Sequence, residues 1–457
     1  MMNSVATTKV ARVRKTALVA TLVAVGLVLP VLLAGLVAPS AHAATTTPHI
    51  VVNSAFDLAD TDPSDRVCDA DFAPGEVCTL RAAIQEVNAR PGPDVIDFSV
   101  PEGQRDQVTG VATIAVGTPL PVITGPVVVN GYSQPDSQVN TLAKGTNAKP
   151  LIEITPAAGY SRASNTGGIT VGAPNVTVRG LVINSFPGAT PGIEVSPSLS
   201  DLFVENAKIQ GNFIGTDPSG TVDEGNEGVG VEITGASNTT VGGTSLASRN
   251  LISGNAFHGV FIRDGGFVGL ASAANRNSVR GNLIGTQKDG LKPLGNGSAG
   301  VCIADSANTT TGGTHQANGN TVLSNSIFAN FLGIDLNGDL KPSANDAGDA
   351  DVGANRLQNK PVLSSAKTVS GATTVKGTLN SRPNESYTVQ FFSSPSGNQG
   401  RTLVGSKSVK TDGSGRASFT FSPAKAVALG QRVTATATRQ TTGDTSEFSA
   451  PRTVASS

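Results

Sequence analysis

From Ile209 to Ser324 the chain repeats itself at an offset of 70 residues. Gly211-Asn-Phe-Ile-Gly-Thr216 returns as Gly281-Asn-Leu-Ile-Gly-Thr286, and Gly225-Asn226 returns as Gly295-Asn296. Gly230-Val-Glu-Ile233 returns as Gly300-Val-Cys-Ile303, and Asn238-Thr-Thr-Val-Gly-Gly-Thr244 as Asn308-Thr-Thr-Thr-Gly-Gly-Thr314. Asn250 and Asn255 match Asn320 and Asn325. Long-period self-similarity of this kind marks a solenoid, in which each unit buries its apolar face only by stacking on the next.

Two strand landmarks alternate along this region. One is apolar-x-Gly: Val178-Arg-Gly180, Ile209-Gln-Gly-Asn212, Ile252-Ser-Gly-Asn255 and Val279-Arg-Gly-Asn282, with Ser324 replacing glycine in Val322-Leu-Ser-Asn325. The other is Gly-[Val/Ile]-x-apolar, starting at Gly192, Gly230, Gly259, Gly300 and Gly333. Their alternation fits a coil carrying one of each. The 70-residue unit accommodates either two uneven coils or three short ones. Glycine and asparagine suit the corners, where the backbone turns left-handed, and asparagines at equivalent corners can stack into amide ladders. The two-residue strand period sends Val and Ile inward and the residues between them outward. One outward column then runs Glu194, Glu232, Phe261, Cys302 and Asp335, about 4.8 Å per rung.

Composition agrees. Glycine supplies 53 of 457 residues, aromatics 4%, and tryptophan none, so the core must be assembled from Val, Ile, Leu and Ala in short strands. Ile114 to Val129 and Leu151-Ile-Glu-Ile154 read as the first coils. After Asn359 the pattern changes to alternating strands at short spacing, such as Tyr387-Thr-Val-Gln-Phe-Phe392 and Arg416-Ala-Ser-Phe-Thr-Phe421, separated by turns such as Asp412-Gly-Ser-Gly415. That is the pattern of a small antiparallel β-sandwich. It contains no cysteine, so an antibody-type disulfide is excluded.

Ahead of the repeats lies Cys-Thr-Leu-Arg-Ala-Ala-Ile-Gln-Glu-Val-Asn, residues 78–88. Leu80, Ala83, Ile84 and Val87 form one apolar helix stripe, and Pro91-Gly92-Pro93 ends the helix. The segment resembles the Cys-Ser-Leu-Arg-Glu-Ala motif that opens a family of secreted bacterial right-handed parallel β-helix proteins. In that motif serine and glutamate form a capping box; here Thr79 keeps the cap but Ala82 replaces the acid. The resemblance implies an all-β fold: a short capping helix, a right-handed parallel β-helix and a following sandwich. It implies no single activity, because the family has none established as a whole. The expected organisation is a signal peptide at 1–43, a cap at 44–110, the β-helix at 111–359 and an immunoglobulin-like sandwich at 360–457.

Lys9, Arg12, Arg14 and Lys15, the apolar run Thr16 to Ala38, and Ala41-His42-Ala43 read as a cleaved secretory leader. Its loss takes away four positive charges, so the formal net charge falls from −1 to −5. That argues against nucleic acid or anionic lipid as a partner. Export permits a disulfide. Cys68 and Cys78 flank a short polar loop and are paired here, worth about 2–3 kcal/mol. Cys302 is left as a packed free thiol.

Three groups could carry chemistry. Asp335, Asn337, Asp339 and Asp346 fall at positions 1, 3, 5 and 12 of a twelve-residue stretch, the spacing of a calcium loop. Glycine sits at position 4 rather than 6, and Asp349 and Asp351 follow closely. A structural Ca2+ at the junction between helix and sandwich is expected, against an Asx-rich turn cluster that satisfies its own backbone. Glu194 and Glu232 stack about 5 Å apart, near the carboxylate spacing of a retaining glycosidase; solvated surface acids are the plainer reading. The Asn-Thr-Asp, Asp-Asp, Gly-His-Gly and Arg-Ile-Lys motifs of polygalacturonases are absent, and His49, His258 and His315 lack metal-ligand spacing.

The expectation is therefore a secreted or surface-displayed monomer without an obligatory cofactor. Its long face binds a glycan, envelope polymer or neighbouring surface as adhesin-like β-helices do. The alternatives are a polysaccharide lyase or hydrolase on the outer column or under inserted loops, and a structural spacer.

Overall fold

The computed structural model describes residues 48–71, 77–90, 92–161, 166–197, 203–267, 270–305 and 317–456. The expected leader at 1–43, the second repeat copy at 308–314 and His315 lie outside them. Among the described residues, His49 to Leu336 winds into a right-handed parallel β-helix of three sheets. Sheet 1 has eight strands: His49–Val52, Asp94–Phe98, Val127–Asn130, Thr177–Arg179, Lys208–Gln210, Thr240–Gly242, Ser278–Arg280 and Thr321–Leu323. Sheet 2 has seven: Ala112–Val116, Ile152–Pro156, Leu181–Ile183, Phe213–Ile214, Leu251–Ile252, Leu283–Ile284 and Ser326–Ile327. Sheet 3 has six: Ile169–Val171, Ile193–Val195, Val231–Thr234, Val260–Arg263, Ala299–Ala304 and Leu332–Leu336.

The register explains the sequence repeat. Ile209 pairs with Val241, and Val241 with Val279, so 70 residues make two coils. Val178, Ile209, Val241, Val279 and Val322 stack inward from sheet 1. Ile183, Ile214, Ile252, Ile284 and Ile327 do so from sheet 2. All are buried in one continuous core. One landmark moves: Ile252-Ser-Gly-Asn255 belongs to sheet 2, and its coil enters sheet 1 through Thr240-Val-Gly242. Both kinds of corner use a positive-φ glycine, so glycine alone does not tell them apart. Gly180, Gly211 and Gly281 have φ of 73°, 67° and 73°, and Ser324 takes the same corner at 58°.

Buried asparagines stack as ladders inside the corners. Asn212, Asn250, Asn282 and Asn325 form one, each amide nitrogen within 3.3 Å of the next residue's side-chain oxygen. Asn226, Asn255, Asn296 and Asn330 form a second, at 2.8–2.9 Å. Each also donates to a backbone carbonyl of the preceding coil, as Asn255 does to Ile214 O, which accepts from Ser253 N as well.

At the N-terminal end the coiling starts earlier than the sequence placed it. His49–Val52 and Asp94–Phe98 already pair in sheet 1, inside the stretch read as a cap. The helix Leu80–Ala89 lies between these two strands in the chain. Thr79 caps it, accepting from the Ala82 amide at 3.1 Å and donating to Leu58 O at 2.6 Å. Its stripe of Leu80, Ala83, Ile84 and Val87 joins the core. Cys68 and Cys78 are disulfide-bonded.

On the same helix Arg90 lies 3.9 Å from both Glu86 and Asp94. Burial outweighs Arg90 and pushes the Glu86 carboxyl up to about 7. Folding thus tightens proton binding, and the stability this contributes is present at low pH and lost as pH rises through about 7. Glu86→Gln should leave the melt at pH 5 nearly unchanged and raise stability at pH 8.5 by roughly 1–3 kcal/mol. Equal shifts at both pH values would contradict this.

The C-terminal sandwich packs a three-stranded sheet (Val362–Val369, Ala372–Asn380, Arg416–Phe421) on a four-stranded one (Thr402–Lys410, Ser386–Ser394, Arg432–Arg439, Arg452–Thr453). It has its own apolar core around Val375, Tyr387, Phe391 and Val433. It also closes the last coil. Val322 N donates to Thr445 Oγ1, Ser324 N to Gln390 Oε1, Ile327 N to Gly400 O and Leu336 N to Glu447 Oε1. Gln399 continues the second ladder by bonding Asn330 through both amide atoms. Arg356–Asp444 at 2.5 Å and Lys360–Glu447 at 3.1 Å add ion pairs across the junction.

Candidate functional site

The three sheets present three different outer faces. On sheet 3 the outward column stands in register as Glu194, Glu232, Phe261, Cys302 and Asp335. Its members are not simply solvated. Glu194 is 6% exposed and accepts from Ser196 Oγ at 3.0 Å. Glu232 is paired with Arg263 at 2.8 Å, and Arg263 also lies 5.7 Å over the Phe261 ring. This ties both carboxylates into a polar ladder. Cys302 is fully buried with Leu332 and Leu340. Burial, then Asp335, pushes its thiol well above the usual range, so it stays protonated and unreactive. His258 packs beside Phe261 and accepts from the Ala299 amide at 3.2 Å through Nδ1. Burial pushes it down to about 4, leaving it neutral.

The outer face of sheet 2 is covered. Val182, Phe213, Leu251 and Leu283 form an apolar cluster with Ala148 from an inserted loop. The insertions stack on one another through Thr146 N to Lys288 O and Lys288 N to Gly220 O. Arg249 pins them by donating to the Leu142, Ala143 and Gly145 carbonyls. Beside this cover, Asn184 Nδ2 lies 2.9 Å from both Glu153 Oε1 and Glu224 Oε2. Burial, then Glu153 and Asp217, raises the Glu224 carboxyl. Sequence reading missed this carboxylate pair, because its members sit in different coils and only the loop lengths bring them together.

The outer face of sheet 1 is open and polar. Two rows cross it: Thr177, Lys208, Thr240 and Ser278 in one, Asp97, Asn130, Arg179, Gln210, Gly242 and Arg280 in the other. Arg179 and Lys208 are exposed and their neighbours half-buried. A side-chain chain runs along the upper end: His49 to Asp97 at 2.6 Å, Asn130 to Asp97 at 2.8 Å, and Arg179 to Asn130 at 2.9 Å.

The residues of the calcium-loop spacing divide between two places. Asp335 accepts from the Leu340 amide at 3.1 Å and has Glu447 and Asp339 as its charged neighbours. Asp339 accepts from Lys341 N at 3.0 Å. Asn337 lies against Gly353. Asp346 instead joins Asp349 and Asp351, each offering one oxygen within 4.8 Å of the others. Asp349 is held by Ser381 and Asn359. The buried Asp351 Oδ1 has no hydrogen-bond partner, and burial followed by Asp346 and Asp349 pushes that carboxyl up to about 6.

No family model matches the chain, and no curated protein matches it. Among solved structures, it is similar to the full-length tailspike protein 2 (TSP2, ORF211) of Escherichia coli O157:H7 bacteriophage CAB120, at 13% identity and a TM-score of 0.19. That match covers 79% of this chain and 57% of the tailspike chain. The parallel β-helix itself stands on the strand pairing described above.

Proposed function

We propose that this is an exported β-helix that binds a glycan or envelope polymer along its long outer face, as an adhesin-like protein without catalysis. The observation that carries the reading is the outer face of sheet 1: polar, in register over several rungs and, among the described residues, not covered by the insertions that close sheet 2. Extended polymers are recognised by such repeated shallow contacts. The leader and the Cys68–Cys78 disulfide support export. Among the described residues no helix is long and apolar enough to cross a membrane. The test is to incubate the purified protein with acidic and neutral polysaccharides and to measure both retention and chain length. Retention without shortening is expected; shortening, or the absence of any retention, would contradict the reading.

Glu153 and Glu224 favour one second reading, a polysaccharide hydrolase. They suit it better than Glu194 and Glu232, because burial beside Glu153 raises the carboxyl of Glu224, which could then donate a proton. Shortening that is lost in Glu224→Gln would establish it.

The structural Ca2+ belongs, on this reading, to Asp346, Asp349 and Asp351, with the unpartnered Asp351 oxygen as a ligand. Calcium should raise the melting temperature and do so less below pH 6, where Asp351 is protonated. Asp351→Asn should abolish the shift. A calorimetric titration without heat would remove the ion from the account.

A further inference from the structure

We infer that the ligand of sheet 1 is an acidic polysaccharide, held by Arg179, Lys208, Arg276 and Arg280. This rests on the glycan reading above and adds the charge of the polymer.

Register sets the spacing of these cations. Thr177 pairs with Lys208, so Lys208 lies one rung along from Arg179's strand and two residues across. Gly242 pairs with Arg280, which puts Arg179 and Arg280 three rungs apart, about 14 Å. Arg276 stands at the adjoining corner, with φ of 56°. Its Nε donates to Asn238 Oδ1 at 3.3 Å. Between the cations the face carries Gln210, Thr240, Gly242 and Ser278, which are uncharged.

Their charge is not spent inside the protein. Among the described residues Arg81, Arg263, Arg356, Lys360 and Arg439 pair with carboxylates, and none of these four does. Arg179 and Arg276 contact only asparagine oxygens. The acids at this face bond other groups rather than these cations: Asp97 bonds His49 and Asn130, and Glu205 bonds Asn238. The four cations therefore leave positive charge on this face that no ion pair among the described residues neutralises. On the sheet 3 face, by contrast, Arg263 is paired with Glu232 and Asp335 is buried.

Four cations spread over three rungs cannot converge on one small anion. They fit a polymer that presents a carboxylate or sulfate at each repeat. Nucleic acid has the charge, but among the described residues the two rows of this face hold no aromatic ring for stacking bases.

The experiment uses the purified protein with polygalacturonate, neutral dextran and single-stranded DNA. Polygalacturonate should be retained at low salt and released near about 0.5 M NaCl, where exposed charges are screened. Combined Arg179→Gln, Lys208→Gln and Arg280→Gln should weaken binding at least about tenfold with an unchanged melting temperature. Arg179→Lys with Arg280→Lys should keep most of it. Equal binding of dextran, unaffected by the triple variant, would overturn the acidic assignment and leave the glycan reading standing. Preference for DNA would overturn the assignment as well. Retention of neither polysaccharide would remove both.

Discussion

Ending the chain at Asn359 is expected to destabilise the β-helix strongly, whereas residues 360–457 alone should remain folded. The asymmetry follows from where each part buries its surface. The sandwich has a separate core of Leu363, Val375, Tyr387, Phe391 and Val433. The helix does not end by itself: Thr321–Leu323, Ser326–Ile327 and Leu332–Leu336 are the last strands of their sheets. Their outward backbone groups are met by Thr445, Gln390, Gly400 and Glu447. Phe448 packs on the helix core. Without the sandwich three sheet edges and the last coil's apolar residues face water, the situation that capping units of solenoids prevent. At about 1 kcal/mol for each lost edge bond, the truncated protein should melt at least roughly 10 °C lower and aggregate. Circular dichroism melts of the two fragments decide this. A truncated helix that melts with the parent would show that the sandwich is merely tethered.

Asn255→Ala is the single substitution expected to cost most. The Asn255 side chain accepts from Asn226 and donates to the Ile214 carbonyl and to Asn296. Alanine removes all three of these buried bonds, each worth about 1 kcal/mol net, although Asn226, the Ile214 carbonyl and Asn296 each keep one other partner. With the space of the lost amide added, the loss should be roughly 2–4 kcal/mol. Asn206→Ala, at an exposed corner with one long contact to Asn175, should cost under about 1 kcal/mol. Denaturant melts of the two variants make the comparison. Similar losses would mean that the ladder adds nothing beyond ordinary corner conformation.

Much of the fold was readable because a solenoid repeats its chemistry. Val and Ile at strand centres, asparagine at corners and the column from Glu194 to Asp335 all follow from one period of two and one of a coil. Cys68 and Cys78 pair as their spacing proposed. What stayed hidden depends on loop length rather than on pattern. His49-Ile-Val-Val52 is too short to distinguish from the cap around it. Ile252-Ser-Gly-Asn255 looks like a sheet 1 corner because both corners need the same backbone. Cys302 and Asp335 point outward, yet the segment around Leu340 folds back over them. Asp346 separates from Asp335 because Asn359 and Asp349 tie it to the sandwich side. The pairing of Glu153 with Glu224 and the basic strip through Arg179 and Arg280 exist only once the register is known.

The most direct measurement is oxidative footprinting or hydrogen exchange of the protein with and without a retained polysaccharide. The account predicts protection at Thr177–Arg179, Lys208–Gln210 and Ser278–Arg280, with Val231–Thr234 and Val260–Arg263 on sheet 3 unchanged. Protection confined to the sheet 3 strands or to the loops around Glu224 would contradict it.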